Sequence, residues 1–189
     1  MATTAVFVIK ESAMHFYTSD LHLGHYNIIK LCKRPFFSLE EMNETLIDNW
    51  NNRVTNADNI YIIGDLMFRS ATNPNEFLLR LKGKKHLIVG NHDSSWMKKA
   101  DLDKYFESID KLKVFSNGRC NITLCHYPMM SFEGKYLIYG HIHNNKPPTF
   151  WPLLKAMGNA LNACVEINGY MPVTFEELIE NNAIFQTTP

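Results

Sequence analysis

Two stretches decide how this chain of 189 residues folds: NIYIIGD at 59–65 and KHLIVGNHD at 85–93. Each is a short apolar run with β-branched residues, too short for a helix, closed by a glycine and then by an oxygen-bearing side chain, Asp65 or Asn91. Such runs read as buried strands that deliver a polar group at their carboxyl ends. The same design opens the chain, where MHFYTS at 14–19 leads into Asp20.

Working outward, helices fall between these strands. Ser38 with Glu41 three residues on makes a capping box, and Leu39, Met42, Leu46, Ile47, Trp50 and Val54 follow at helical spacing. Asn73 before Pro74 reads as an N-cap with proline at the first helical position, and Phe77, Leu78 and Leu81 form the apolar face before Gly83. Strand, helix, strand, helix, strand favours a parallel layer covered by helices.

The second half changes character. Leu112 to Phe115 and Cys120 to Leu124 flank Ser116-Asn117-Gly118, a hairpin signal, and Tyr136 to Tyr139 and Asn162 to Ile167 read as further short strands. Thr174 with Glu177 is a second capping box, placed before Leu178 and Ile179. A mixed sheet or two stacked sheets thus fits better than a purely parallel one. His143 to Ala160, carrying Pro147, Pro148, Pro152 and Gly158, reads as a long loop near the site, in which Phe150 and Trp151 either pack or stack on a ligand. With no repeat and no linker-like tract, we expect one domain over 1–189, closed by a strand and helix at about 162–181.

Composition limits the function classes. Nineteen basic residues balance nineteen acidic ones, so the chain as a whole has no pull on nucleic acid or an anionic membrane. Lys30, Lys33 and Arg34, and Lys82, Lys84 and Lys85, are read as solvated faces. The cysteines Cys32, Cys120, Cys125 and Cys164 form no C-x-x-C pair and read as buried thiols in a reducing compartment. MATTAVFVIKESAM lacks a basic n-region and no apolar stretch reaches 18 residues, so the expectation is a cytoplasmic protein without a membrane partner.

Histidines gather where strand signals run out. Asp20-Leu21-His22 and His141-Ile142-His143 each place two ligand-type side chains at i and i+2, which extended backbone would point to one side. Gly90-Asn91-His92-Asp93 offers an amide oxygen, an imidazole and a carboxylate within three residues, and His126 follows the run ITLC. Mixed His, Asp and Asn donors suit Mn, Fe, Zn or Ni better than Ca or a thiolate-bound structural zinc.

The ordered set SDLHLGH, GDLMFR, GNHD, CHYPM and GHIH resembles the calcineurin-like metallophosphoesterases, from Ser19 to His143, and NACVEINGYMPVTFEEL weakly resembles the closing segment of small bacterial and phage members. The resemblance implies two mixed sheets packed as a sandwich with flanking helices, an α/β fold. It implies a first metal on Asp20, His22 and His143, a second on Asn91, His126 and His141, and Asp65 bridging them. His92 would stand beside the phosphate as a catalytic group, with Asp65 and Asn91 in the same machinery.

The activity so implied is hydrolysis of a phosphodiester or phosphomonoester, small or nucleotide-like, by two divalent transition metal ions that activate a shared water. Phe68 stands where protein phosphatases of this family carry an acid partner for the catalytic histidine, which speaks against that branch. Arg69, His25 and Asn27 are candidate substrate-binding groups. A nuclease using the same centre, which neutral charge does not favour, and a weakly active binding scaffold are the alternatives.

Overall fold

The computed structural model describes residues 13–68 and 73–188. Most of the N-terminal stretch read for a leader, and the candidate Arg69, lie outside them. In chain order the elements are β1 (His15–Thr18), α1 (Tyr26–Leu31), α2 (Leu39–Arg53), β2 (Asn59–Ile62), α3 (Pro74–Arg80), β3 (Lys84–Ile88), α4 (Ser94–Met97) and α5 (Leu102–Tyr105). They continue with β4 (Phe106–Asp110), β5 (Leu112–Ser116), β6 (Asn121–Cys125), β7 (Tyr136–Tyr139), α6 (Trp151–Ala156), β8 (Ala160–Asn162) and α7 (Phe175–Thr187).

Two four-stranded sheets result, ordered β1-β2-β3-β4 and β5-β6-β7-β8. The four strands of the first run parallel, with an antiparallel bridge between Tyr17 and Val173 at its β1 edge. The second is mixed, because β5 pairs antiparallel with β6 while β6, β7 and β8 are parallel.

Period-2 alternation makes the sandwich. Phe16, Ile60, Ile62 and Leu87 face a core shared with Met42, Leu46 and Trp50 of α2 and Phe77 and Leu78 of α3. Their neighbours Tyr17, Tyr61 and Ile88 face inward onto Ile122, Leu124, Ile138 and Leu161 of the second sheet. Leu137 and Tyr139 look outward again, onto Leu154 of α6. Strands buried on both faces must be apolar throughout, which is why NIYIIG and YLIY show no polar alternation.

The helix starts follow their caps. Thr174 and Glu177 close the full reciprocal box on α7, and Asn73 caps α3 through the Asn75 amide. At α2 the box is modified: Ser38 Oγ accepts from the Glu41 amide at 3.0 Å, but the Glu41 carboxylate reaches past Ser38 to the Phe37 amide at 2.7 Å.

Several elements differ from the sequence reading. The expected 143–160 loop contains α6, and the expected strand over 162–167 is β8 followed by a 3-10 turn at Val165–Ile167. Neither α1 nor β4 was marked in the sequence; β4 alternates half-buried and exposed positions at a sheet edge. Arg34 and Lys85 are buried, so neither basic run is wholly a solvated face. Among the described residues Cys32, Cys125 and Cys164 are buried thiols and Cys120 is half-buried. No helix among them is long and apolar enough to cross a membrane.

Candidate metal centre

Every parallel strand that carries a candidate ligand ends at the same edge of the sandwich. Asp20 follows β1, Asp65 follows β2, Asn91 follows β3, His126 follows β6, and His141 and His143 follow β7. Cross-strand bonds continue past the strand ends: the Asp20 amide donates to the Gly64 carbonyl at 3.0 Å and the His22 amide to the Asp65 carbonyl at 3.0 Å. The sheets are joined there by His126 Nδ1, 2.8 Å from the Ile63 carbonyl, and by the His141 amide, 2.9 Å from Asp20 Oδ2.

The backbone that aims these side chains is not extended. Asp20, His22, Asp65, His141 and His143 all have positive φ, between 52° and 73°, and only two other non-glycine residues among those described do. The i, i+2 convergence expected from strand geometry is seen for Asp20 and His22, through left-handed turns, whereas His143 turns to Asp20 and His141 to Asn91. At His141 the Ile142 amide donates to the Gly140 carbonyl at 2.8 Å, a tight γ-turn. A non-glycine residue held in this region costs of order 1–3 kcal/mol and persists only where its surroundings over-determine it, so five such residues in one place mark the centre as the strained part of the molecule.

Glycines make room for the ligands. A methyl group on Gly64, itself at φ +83°, would collide with the His126 ring; one on Gly90 would strike the Asp65 carboxylate, and one on Gly140 the Asp20 carboxylate. The Gly-Asp, Gly-Asn and Gly-His pairs thus share a steric cause.

Among the described residues, Asp20, His22 and His143 form one group whose ligand atoms all lie within 4.8 Å of one another, and Asp20, Asp65 and His126 form another. His22 Nε2 stands 3.8 Å from Asp20 Oδ1 and 3.6 Å from Asp65 Oδ2, while His143 Nε2 is 3.7 Å from Asp20 Oδ1. His126 Nε2 lies 3.4 Å from Asp65 Oδ2 and 3.0 Å from Asn91 Oδ1, which also has His141 Nδ1 at 2.9 Å. Asp65 Oδ2 is therefore the oxygen that faces both sets.

Hydrogen bonding on the far side of each ligand fixes what points inward. Asp20 Oδ2 is held by the His141 amide and by the Cys164 thiol at 3.1 Å. Asp65 Oδ1 accepts from the His92 amide at 2.8 Å. His143 Nδ1 donates to Glu166 Oε1 at 3.0 Å, His126 Nδ1 to the Ile63 carbonyl, and His22 Nδ1 meets His25 Nδ1 at 3.4 Å. Outward donation by Nδ1 of His126 and His143 leaves inward lone pairs on their Nε2 atoms, and Nε2 of His22, His126 and His143 all face acceptor oxygens. Buried Asp20 Oδ1 and His22 Nε2 have no hydrogen-bond partner. Acceptors converging in a dry site repel one another unless a cation or a proton sits among them, so the donor set fits divalent metal ions.

The proton affinities follow from the same packing. Burial drives His22 down to about 2, with the Asp65 charge only partly opposing it, so its imidazole is neutral. Burial also pushes His126 down, but the hydrogen bond to Asp65 and the Asp20 and Asp65 charges outweigh it and hold its pKa at about 9. At His143 burial is likewise outweighed, by bonds to Cys32 and Glu166 and by the Asp20 and Glu166 charges, and the pKa stands at about 10. Without metal, a proton takes the cation's place at both.

His92 is half-buried, its ring centroid 5.3 Å from that of His22. Phe68 lies edge-on to it at 5.0 Å and stacks on His25 at 3.7 Å, so an aromatic ring occupies the ground where an acid partner would be sought. His25 touches the centre through His22, whereas Asn27 is exposed on the first turn of α1. Asp93, read as a further carboxylate of the cluster, instead turns inward and accepts from the amides of Asp65, Leu66 and Gly90 and from Trp96 Nε1 at 2.7 to 3.0 Å.

Three residues escaped the sequence reading. Buried Glu166 takes His143 Nδ1, Arg34 Nε at 3.0 Å and Arg34 Nη2 at 2.7 Å on one oxygen. Arg34 also donates to the carbonyls of Asp20, at 2.6 Å, and Leu21, at 2.8 Å, clamping the strained turn from behind. Cys164 completes the support. Cys32, His143 and Glu166 also group within 4.8 Å, but the Arg34 guanidinium already supplies the positive charge there.

Fold and site together define an α/β sandwich with buried Asp and His clusters able to ligate metal. The chain belongs to the calcineurin-like phosphoesterase family, whose model matches residues 16–151. It is 36% identical over 178 residues to an uncharacterized protein of Methanocaldococcus jannaschii, covering 89% of this chain and 93% of that one. Its 27% identity to the gene 66 protein of Mycobacterium phage L5 covers 68% of this chain and 77% of the phage protein. A crystal structure of a protein of unknown function from Aquifex aeolicus superposes with a TM-score of 0.70 at 27% identity, over 89% of this chain and 98% of the other.

Proposed function

We propose that the protein is a dinuclear metal-dependent phosphoesterase that hydrolyses a small phosphodiester or phosphomonoester. Asp20, His22 and His143 would hold one ion, Asn91, His126 and His141 the other, and Asp65 would serve both. The observation that carries this reading is the convergence of inward-facing acceptor atoms, with Asp65 Oδ2 within 3.6 Å of His22 Nε2 and 3.4 Å of His126 Nε2. Bound there, two divalent ions such as Mn, Fe, Zn or Ni would supply Lewis-acid charge to a phosphoryl group and lower the pKa of a water.

The chain's own residues do the rest. Glu166 and the Ile63 carbonyl hold His143 and His126 in the tautomer that presents Nε2, and His25 Nδ1 stands against the His22 ring. His92, anchored by its amide to Asp65 Oδ1, carries a ring able to give a proton to the departing ester oxygen. Phe68 on its flank supports an assignment outside the protein-phosphatase branch. Three buried free thiols support a working place in a reducing, cytoplasmic setting.

The test is turnover of bis-p-nitrophenyl phosphate and p-nitrophenyl phosphate by Mn-loaded protein beside an Asp65→Asn variant. We expect wild-type turnover to exceed the variant's by roughly 10³-fold. Equal rates on both chromogens sink the catalytic reading.

A further inference from the structure

A cavity of about 910 Å³ opens beside the Asn91, His126 and His141 group. The His141 ring is part of its wall, and the same imidazole holds Asn91 Oδ1 at 2.9 Å. Tyr127, the next wall residue, lies edge-on to both ligand rings, 4.7 Å from His141 and 5.2 Å from His126. His141 thus belongs both to the candidate ligand group and to the cavity wall. The volume matches sites for small organic ligands.

The lining fixes the chemistry of the guest. Met129, Met130, Phe150 and Leu153 supply much of it, and Met130 and Leu153 are more than half exposed, at 64% and 55%. Large apolar side chains kept in water around a concave surface mark a place that something apolar fills. Of the twelve lining residues only Lys146 carries a permanent charge, and its ammonium donates to the Thr188 carbonyl and hydroxyl and lies over the Phe185 and Trp151 rings. A polyphosphate or a nucleic-acid backbone would need a row of cations there, whereas flat rings and thioethers suit an uncharged aromatic group.

We propose that this cavity is the subsite for one ester arm of the substrate and selects an uncharged aromatic arm over a small alkyl one. The inference rests on the phosphoesterase reading, because it takes the phosphoryl group to be held at the adjoining centre. Met130 and Leu153 would be specificity residues, acting on the arm and not on the reacting atoms.

The experiment compares phenylphosphonate with methylphosphonate by calorimetry on Mn-loaded protein, in the wild type and in a Met130→Ser, Leu153→Ser double variant. Both side chains are surface-exposed, so the variant is expected to fold, and its metal content is measured alongside. We expect phenylphosphonate to bind roughly 10-fold or more tightly than methylphosphonate. That preference should vanish in the variant while methylphosphonate affinity and metal content stay unchanged. Equal affinities in the wild type, no saturable phenylphosphonate binding, or a preference that survives the double substitution overturn the proposal. Turnover of bis-p-nitrophenyl and methyl p-nitrophenyl phosphate separates the two readings. A phenyl preference without turnover supports the cavity and counts against catalysis, while turnover without a preference does the reverse.

Discussion

The two halves of the centre are built differently. Around Asp20, His22 and His143 the side chains are almost wholly buried, and the oxygens and nitrogens behind them are tied to Glu166, Arg34, Cys164 and His25. Around Asn91, His126 and His141 only His126 is deeply buried; Asn91 and His141 are exposed, and the wall beyond them is the apolar cavity. Ligands fixed from behind in a dry site lose little freedom on binding a cation, while exposed ones must be ordered first. The buried half thus suits a tightly kept ion, and the open half an ion that exchanges and meets substrate.

The strongest way to break this contrast is to cut the open half alone. His141→Ala should lower affinity for the second ion by more than the roughly 10–100-fold that outer partners contribute, with the first ion still tight. Calorimetric titration with Mn should then resolve one strong site. Loss of both ions together would mean that the halves act as one unit.

Glu166→Gln probes the buried half from behind. Affinity for the first ion should fall about 10–100-fold while the second site is spared. Leaving the buried Arg34 guanidinium without its counter-charge should also cost about 3–5 kcal/mol of stability, read by urea unfolding of metal-free protein. A variant of unchanged stability and metal affinity would remove Glu166 from the account.

The mildest test is proton release. In metal-free protein His126 and His143 have pKa values raised to about 9 and about 10, so both are protonated at pH 7. Raised folded-state values contribute stability that is present below the ordinary imidazole range and lost as pH rises through 9 to 10. Metal must displace these protons, so loading at pH 7 should release up to two per chain and apparent affinity should rise with pH. Titration in buffers of different ionisation enthalpy measures this directly. Uptake without release would show that the two imidazoles either are neutral in the metal-free protein or are not ligands.

Much of this was legible in the sequence, and the rest failed for physical reasons. Apolar run, glycine and polar residue marked Asp65, Asn91 and His141, because a strand buried on both faces must be apolar and a ligand needs the space above its glycine. Geometry was read less well: Asp20 and His22 converge, and His141 and His143 part to different groups, through left-handed turns that no side-chain period reveals. Glu166 and Arg34 lie 132 positions apart in sequence, and their pairing is a product of tertiary structure alone. Arg34 sat in a basic run that resembled surface. Helix α6, six residues with proline at its second position, left no periodicity to find.

The central claim of the proposal is that Asp65 would serve two ions, one held by Asp20, His22 and His143 and the other by Asn91, His126 and His141. Anomalous diffraction from crystals of Mn-loaded protein tests it most directly. The account predicts two peaks, one among Asp20, His22 and His143 and one among Asn91, His126 and His141, both in contact with the Asp65 carboxylate. A single peak, or two peaks of which only one touches Asp65, would contradict it.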